Sequence, residues 1–137
     1  MRYRSGMKFA QESSPHVRLV TRYAADGLWI GAEHHTTSVI VTADAVRPWA
    51  ARSVADLSTS DLGPILDLRP ELILLATGAV QRFPPTPVLY HALAQEVGIE
   101  VMEIGGACRT YNVLVGDGRR VALAALLGCG LSAEAAT

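Results

Sequence analysis

A strand–helix–strand pattern within residues 71–104 constrains the fold of this chain more than any other feature. The segment ELILLATG, residues 71–78, is almost continuously apolar and stops at a glycine, which is typical of a central strand covered on both faces. Residues 86–97 have helical spacing of apolar side chains, and residues 99–104 alternate as a strand. Because such crossovers are right-handed and join parallel strands, the pattern predicts a βαβ unit in an α/β fold.

The ends of the predicted helix carry residue types that favour helix termini. Thr86 is predicted to cap the first turn, and Pro87 to occupy the first helical position, where a missing N–H costs nothing. Gly98 is predicted to stop the helix. One apolar stripe is expected to face the sheet, formed by Val88, Leu89, Ala92, Leu93 and Val97.

The first third of the chain predicts a β-meander. Residues 17–22 alternate as a strand, and Asp26 followed by Gly27 is a strong hairpin signal, because glycine accepts a positive φ at no steric cost. Residues 28–32 would form the return strand, and the β-branched run at 37–43 a third strand.

The rest of the chain gives weaker signals. Residues 46–57 are interpreted as irregular because Pro48 interrupts them, and a short helix is expected to open near Ser58 or Ser60. Residues 106–116 have helical spacing, and 119–127 are predicted to form a last strand or a short helix. The predicted organisation is a single three-layer α/β domain at 16–127, with a flexible leader at 1–15 and a flexible tail at 128–137.

Charge and composition exclude several classes of protein. Twelve Lys and Arg against thirteen Asp and Glu leave a net charge of −1, so no nucleic-acid partner is expected. The longest apolar runs, 72–76 and 121–127, are far shorter than the roughly 20 residues that a membrane helix needs, so no membrane span is expected. Two cysteines without a Cys-x-x-Cys motif indicate a reducing, cytoplasmic location.

Neither a metal nor a cofactor is predicted. His34 and His35 are the only adjacent pair of metal-type residues, and adjacent strand positions point to opposite faces, so they are interpreted as turn residues. The chain has no G-x-G-x-x-G and no P-loop lysine. Trp29 and Trp49 are predicted to pack in the core or at an edge.

The residues that follow the two parallel strands form the predicted ligand-binding site. In open α/β sheets, ligands bind beyond the carboxyl ends of the strands. Glycines there let the backbone approach a ligand, a helix N-terminus offers N–H donors to an anion, and arginines supply charged forks. The predicted crevice for a small anionic ligand consists of Gly78, Gln81, Arg82, Gly106, Cys108, Arg109 and Thr110.

Most of these residues also have a structural alternative. The two arginines would pair with Glu103 or Asp117, and the glycines would serve ordinary turns. Cys108 lies in the first turn of a predicted helix, where a thiol pKa can fall, but no histidine base adjoins it in sequence, and a small buried packing residue is the alternative. No catalytic residue is therefore assigned.

Tyr111 and Asn112, which follow this cluster, also have structural interpretations. A tyrosine on the inner face of the helix can bury its ring and form a hydrogen bond through its hydroxyl. Asn112 is expected to cap a neighbouring loop.

Three motifs together resemble a small Mth-type domain family of unknown function. They are the strand end Thr77-Gly78, the loop QRFP at 81–84, and ACRTYN at 107–112 with Arg119 or Arg120 following. The resemblance covers about residues 17–127, and the family includes a mitochondrial respiratory complex I assembly factor and an adipogenesis-associated protein. It implies a three-layer α/β domain with a mixed central sheet, and a last strand at 119–127 that is antiparallel to its neighbours.

The chain departs from the family pattern at two places. Ala76 stands where the family usually has glycine before Thr-Gly, and Gly105-Gly106 precede Ala107 where the family more often has threonine. The resemblance implies no established enzymatic reaction.

Two functions are expected from these observations. The first is a non-catalytic protein-interaction or assembly module, cytoplasmic or, in a eukaryote, mitochondrial, with a respiratory-complex subunit or another protein as partner. The alternative is a small anionic-ligand-binding protein, or an enzyme of unassigned reaction, that uses the crevice at the strand ends.

Overall fold

A computed structural model describes residues 17–127, which form eight strands, three α-helices and one 3-10 turn. The strands are β1 (Val20–Ala24), β2 (Gly27–Ile30), β3 (Glu33–His35), β4 (Val39–Val41), β5 (Val46–Pro48), β6 (Leu72–Ala76), β7 (Gly98–Met102) and β8 (Val121–Ala125). The α-helices are α1 (Gly63–Leu66), α2 (Thr86–Ala94) and α3 (Ile104–Gly116), and the 3-10 turn, Thr59–Leu62, directly precedes α1. The leader and tail predictions, 1–15 and 128–137, lie outside the described residues, as does residue 16.

The main sheet is mixed and has the order β5-β4-β8-β6-β7. β6 is parallel to both neighbours, with Leu72 opposite Gly98 on β7 and opposite Val121 on β8. The predicted βαβ unit, β6–α2–β7, is therefore confirmed. The prediction that the last strand is antiparallel to its neighbours is wrong on one side, since β8 is antiparallel only to β4. The physical reason is α3, which returns the chain to the end of the sheet at which β6 and β7 begin. β8 therefore runs in the same direction as β6.

Alternating side chains of the main sheet build two apolar clusters, one on each face. On β6, Leu74 and Ala76 point to one face, and Ile73 and Leu75 to the other. The first face is covered by α3 and by the three-stranded sheet β1-β2-β3, and the second by α2 and the segment 49–66. The three-layer α/β architecture is confirmed.

The predicted N-terminal meander is confirmed, but its third strand is β3, whereas the segment 37–43 expected there forms β4 of the main sheet. Its turns also differ from the prediction. Ala25 and Asp26 form the first turn, and Gly27 pairs with Ala24 inside the ladder, so it does not supply the positive φ. A Cβ on Gly27 would lie 2.8 Å from Nε2 of His34 and 3.0 Å from the carbonyl oxygen of His35, which favours glycine at this position. The positive φ, 60°, occurs in the second hairpin at Gly31.

A β-bulge and the third strand change which meander residues face the core. The register shifts between Val20 and Arg22, so the simple alternation expected at 17–22 breaks and Val20 is buried. His34 and His35 belong to β3 and not to a turn. They do face opposite sides, because they pair with Trp29 and Leu28 respectively.

Several predicted boundaries were wrong by a few residues. α2 is preceded by Pro85 at the cap position, so Thr86 is its first residue and Pro87 its second. α3 begins at Ile104, two residues before the predicted helix, and the strand predicted at 37–43 is confined to β4. Within the segment expected to be irregular, Pro48 ends the edge strand β5, where a missing N–H is tolerated.

Two predictions about packing have opposite outcomes. Trp49 is buried, and its indole N–H donates to the carbonyl of Asp61 at 2.9 Å, which confirms core packing. Leu93 was expected in the buried stripe of α2, but its side chain is 58% exposed. α2 has nine residues, about two and a half turns, and its buried residues are Val88 and Ala92. Leu93 follows Val88 by five residues, about 140° round the helix, and therefore lies outside this narrow buried stripe.

Candidate functional site

The carboxyl ends of β6 and β7 meet at one rim of the main sheet. The backbone N–H of Thr77 donates to the carbonyl of Met102 at 2.9 Å, and the N–H of Ile104 donates to the carbonyl of Gly78 at 2.8 Å. The loop after β6 and the start of α3 are therefore adjacent, as parallel strands require.

Thr77 holds the loop that follows β6. Its buried hydroxyl donates to the carbonyl of Val80 at 2.7 Å and accepts from the N–H of Arg82 at 3.1 Å. The side-chain amide of Gln81 donates to the carbonyl of Val101 on β7 at 2.8 Å. Gly78 has φ of 95°, a conformation that favours glycine, so it lets the chain leave the strand in this direction.

The N-terminus of α3 is capped by a carboxylate of the chain itself. The two oxygens of Glu103 accept from the N–H groups of Gly105 and Gly106 at 2.7 and 2.6 Å. A Cβ on Gly106 would lie 2.8 Å from Oε2 of Glu103, so glycine lets this carboxylate fold back. These two N–H groups are the donors that a bound anion would use.

Arg109 joins α3 to the meander. Its Nη1 donates to the hydroxyl of Tyr23 at 2.6 Å, and its Nη2 lies 3.8 Å from a carboxylate oxygen of Glu103. The predicted alternative of pairing with Glu103 is present. Because all three side chains are partly exposed, this pairing adds little stability and mainly orients the arginine.

Cys108 is fully buried in the cluster between α3 and the main sheet. Burial raises the pKa of its thiol to about 12, with a smaller contribution from the Glu103 carboxylate. The thiol is therefore protonated at neutral pH, which removes the nucleophilic form that the helix position could have favoured.

We expect Cys108 to resist thiol reagents in the native protein. In a Cys129→Ser variant, a disulfide reagent at pH 8 should label Cys108 only at the rate of unfolding, at least about a hundredfold slower than the same thiol in urea. The measurement is the absorbance of the released thiolate over time. Native labelling as fast as in urea would contradict the burial of this side chain.

Tyr111 and Asn112 attach β1 to α3. The Tyr111 hydroxyl donates to the carbonyl of Arg18 at 2.7 Å, and burial raises the pKa of that hydroxyl. The side chain of Asn112 accepts from the N–H of Val20 at 2.9 Å and donates to its carbonyl at 2.8 Å. The sequence predicts a buried hydroxyl for Tyr111 but only a loop cap for Asn112, because nothing local indicates a partner 92 residues away.

The structure therefore brings some of the predicted site residues together and buries others. Gly78, Gln81 and Gly106 lie at the rim, whereas Cys108 is in the core and Thr110 is half-buried on α3. The side chains of Arg82 and Arg109 are exposed. Anion binding at these residues stays a prediction.

A second surface, which sequence analysis did not identify, is formed by exposed apolar side chains. The described chain has six large exposed hydrophobic residues, and four of them fall within residues 80–93, which we call the 80–93 segment. Those four are Val80, Phe83, Tyr90 and Leu93. The helical spacing of α2 predicts a buried Leu93, so the sequence does not indicate an exposed apolar surface here.

Residues 17–127 contain neither a cluster of metal-ligating side chains nor a helix suited to span a membrane. No group of three or more His, Cys, Asp or Glu side chains within that range is arranged to hold a metal ion. No helix there is long and apolar enough to cross a bilayer.

Sequence comparison matches residues 20–126 to the profile of a family described as "Protein of unknown function (DUF498/DUF598)". One curated relative is NADH dehydrogenase [ubiquinone] 1 alpha subcomplex assembly factor 3 of Xenopus tropicalis, 27% identical over 120 residues, which are 85% of this chain and 64% of that protein. Another is the 13 kDa major membrane protein of Francisella tularensis, 34% identical over 68 residues, which are 50% of this chain and 55% of that protein. The chain thus spans less than two thirds of the length of either relative.

Solved structures share the fold. A Xanthomonas campestris protein is 35% identical with a TM-score of 0.75, over 80% of this chain and 84% of that one. A Bordetella pertussis protein described as a Mth938-like domain is 22% identical with a TM-score of 0.72, over 93% of each chain. The Mth-type fold is therefore confirmed.

Proposed function

Because this chain belongs to the DUF498/DUF598 family of proteins of unknown function, we propose that it is a non-catalytic module that binds a subunit of a respiratory NADH dehydrogenase during assembly. The observation that carries the proposal is the 80–93 segment, which exposes four large apolar side chains on one loop and one helix. A concentration of large exposed apolar side chains in one segment is typical of sites for other proteins. The similarity to the Xenopus assembly factor supports the choice of partner.

The chemistry at the strand ends is consistent with this role. Glu103, Arg109, Tyr111 and Asn112 all engage residues of the chain itself, and the Cys108 thiol is protonated at neutral pH. The location that follows from the proposal is the cytoplasm of a bacterium, or the mitochondrion in a eukaryote.

Co-purification of the full chain from its own organism tests this function. The tagged chain should enrich NADH dehydrogenase subunits, quantified by mass spectrometry against an unrelated tagged protein of similar size. A Phe83→Ser/Leu93→Ser variant should recover those subunits at least about tenfold less, since burying one such side chain contributes about 1.5–3 kcal/mol.

Val113→Ser is the matched control. Val113 is 62% exposed but lies on α3, on the opposite face of the main sheet from α2, so its replacement should leave recovery unchanged. Absence of NADH dehydrogenase subunits from the wild-type sample would overturn the proposed function. Equal recovery with the double variant would overturn the 80–93 segment as the binding surface.

We also propose, as a second function, a small anionic ligand at the rim formed by Gly78, Gln81, Arg82, Gly106 and Arg109, with Cys108 and Thr110 behind them. The adjacency of the two loops favours this proposal. A ligand would bind by displacing the Glu103 carboxylate from the N-terminus of α3. Phosphate should then raise the melting temperature of the wild type but not of Arg109→Ala. No shift at millimolar phosphate would exclude phosphate as that ligand.

A further inference from the structure

β7 has an unpaired edge in the part of the chain that the structure describes. It is the last strand of the main sheet, with β6 on its inner side. The N–H of Gly98 and the carbonyl of Met102 bond toward β6, so residues of even number face inward. Ile99 and Val101 therefore direct their backbone groups to the open side, and Gln81 reaches the Val101 carbonyl there. Among the described residues, three backbone groups on this side of β7 have no hydrogen-bond partner. They are the N–H and the carbonyl of Ile99 and the N–H of Val101.

The opposite edge of the same sheet is protected in ways that β7 is not. β5 has three residues, ends in Pro48, which has no N–H, and carries the exposed Arg47. Short length, proline and charge are the usual devices that prevent edge pairing, and β7 has only the charge, on Glu100. β7 has five residues, no proline, and the strand-favouring residues Ile99 and Val101.

The side chains of β7 define what an added strand would need. Ile99 and Val101 belong to the apolar cluster on the α2 face, and Ile99 is only partly buried, so an added apolar side chain would cover it. Glu100 is exposed and, by alternation, points to the other face. Side chains directly opposite in paired strands share a face, so a basic residue opposite Glu100 would complement its charge.

We propose that the open edge of β7 binds an extended segment of a partner protein with the alternation apolar–basic–apolar. This inference rests on the proposed function and specifies the recognition chemistry beside the 80–93 segment, because α2 packs on β7. The mode is strand addition, in which backbone groups supply affinity and alternate side chains supply specificity. A second copy of this chain fits less well, since antiparallel pairing about Glu100 would oppose two carboxylates.

The test uses the full chain and two labelled, end-blocked pentapeptides, Thr-Val-Lys-Val-Thr and Thr-Val-Glu-Val-Thr, followed by fluorescence anisotropy. We expect the wild type to bind the lysine peptide about fivefold more tightly, and Glu100→Lys to reverse this preference. Gln81→Ala should tighten binding of the lysine peptide, because it frees the Val101 carbonyl.

Backbone substitution separates edge binding from folding. Ile99→Ala and Ile99→Pro both shorten a half-buried side chain, and Ile99→Pro in addition removes an outward N–H. The melting temperatures of these two variants should therefore be similar, while peptide binding to Ile99→Pro falls at least about tenfold below that to Ile99→Ala. Glu100→Pro is the contrast, because its N–H bonds to β6, and it should lower the melting temperature strongly.

Three results would overturn the proposal: no binding of either peptide, equal binding of both, or binding to folded Ile99→Pro as tight as to Ile99→Ala. Each leaves the co-purification of NADH dehydrogenase subunits unaffected, so failure of the edge and failure of the proposed function are distinguishable.

Discussion

Replacing Tyr111 with alanine should lower the free energy of unfolding by about 3–5 kcal/mol, the largest effect we expect from a single side chain. Tyr111 is fully buried in the cluster that α3, β1 and the main sheet share. Its removal leaves a cavity between two layers and also removes the hydrogen bond to the Arg18 carbonyl. Urea denaturation followed by circular dichroism measures the change.

One further variant separates the contributions of the ring and the hydroxyl, and another serves as an exposed control. Tyr111→Phe keeps the ring and loses only the hydroxyl, so it should cost about 1 kcal/mol. Tyr90→Ala removes an exposed tyrosine of α2 and should stay within about 0.5 kcal/mol. Equal destabilisation by Tyr111→Ala and Tyr90→Ala would show that Tyr111 does not pack between α3 and the main sheet.

The Tyr111 hydroxyl also gives a pH dependence. Its pKa is raised above the ordinary value of 10.0 by burial, so the folded state retains the proton more strongly than the unfolded state. The contribution to stability is complete below about pH 10 and is lost as pH rises above it. Wild type should therefore lose stability relative to Tyr111→Phe only in the alkaline range.

Replacing Asn112 with aspartate should cost about 2–3 kcal/mol near neutral pH, although the two side chains have the same shape. The carboxylate can still accept from the N–H of Val20 but cannot donate to its carbonyl. Two acceptors would then face each other between α3 and β1. Urea denaturation at a series of pH values measures the effect.

Acid should partly restore the stability of Asn112→Asp. Repulsion from the carbonyl oxygen of Val20 disfavours the charged form of the introduced aspartate. The folded-state pKa of its carboxyl group therefore lies above the unfolded value of about 3.9. A raised pKa adds stability as pH falls, since the protonated group can donate again. Asn112→Ala, which cannot recover a donor, is the control. An identical pH dependence of both variants would argue against the paired hydrogen bonds.

The cluster GGACRTYN at 105–112 joins the layers of the domain. Its glycines admit the Glu103 cap, Cys108 and Tyr111 fill the core, and Arg109 and Asn112 bind residues of β1. Its polar residues point to catalysis when read alone, yet Arg109, Tyr111 and Asn112 each form hydrogen bonds within the chain. The surfaces proposed to bind a protein partner instead lie on the α2 and β7 side of the sheet.

Local signals in the sequence were sufficient for the central part of the fold. The apolar run of β6, the helical spacing of α2 and the alternation of β7 are each complete within a few residues, and handedness then determines their arrangement. The meander was predictable for the same reason, because antiparallel hairpins are built from neighbouring residues.

Contacts between distant residues decided the rest. The direction of β8 depends on where α3 returns the chain, and the exposure of Leu93 depends on how much of α2 the sheet can cover. Asn112 binds Val20 across 92 residues, and Ile99 lies at an open edge only because no described strand follows β7 in the sheet order. The sequence alone thus determined most of the segments that become strands and helices, since side-chain periodicity and turn signals are local. Only the tertiary structure determined which side chains were left to bind a partner, because burial depends on the whole packed chain.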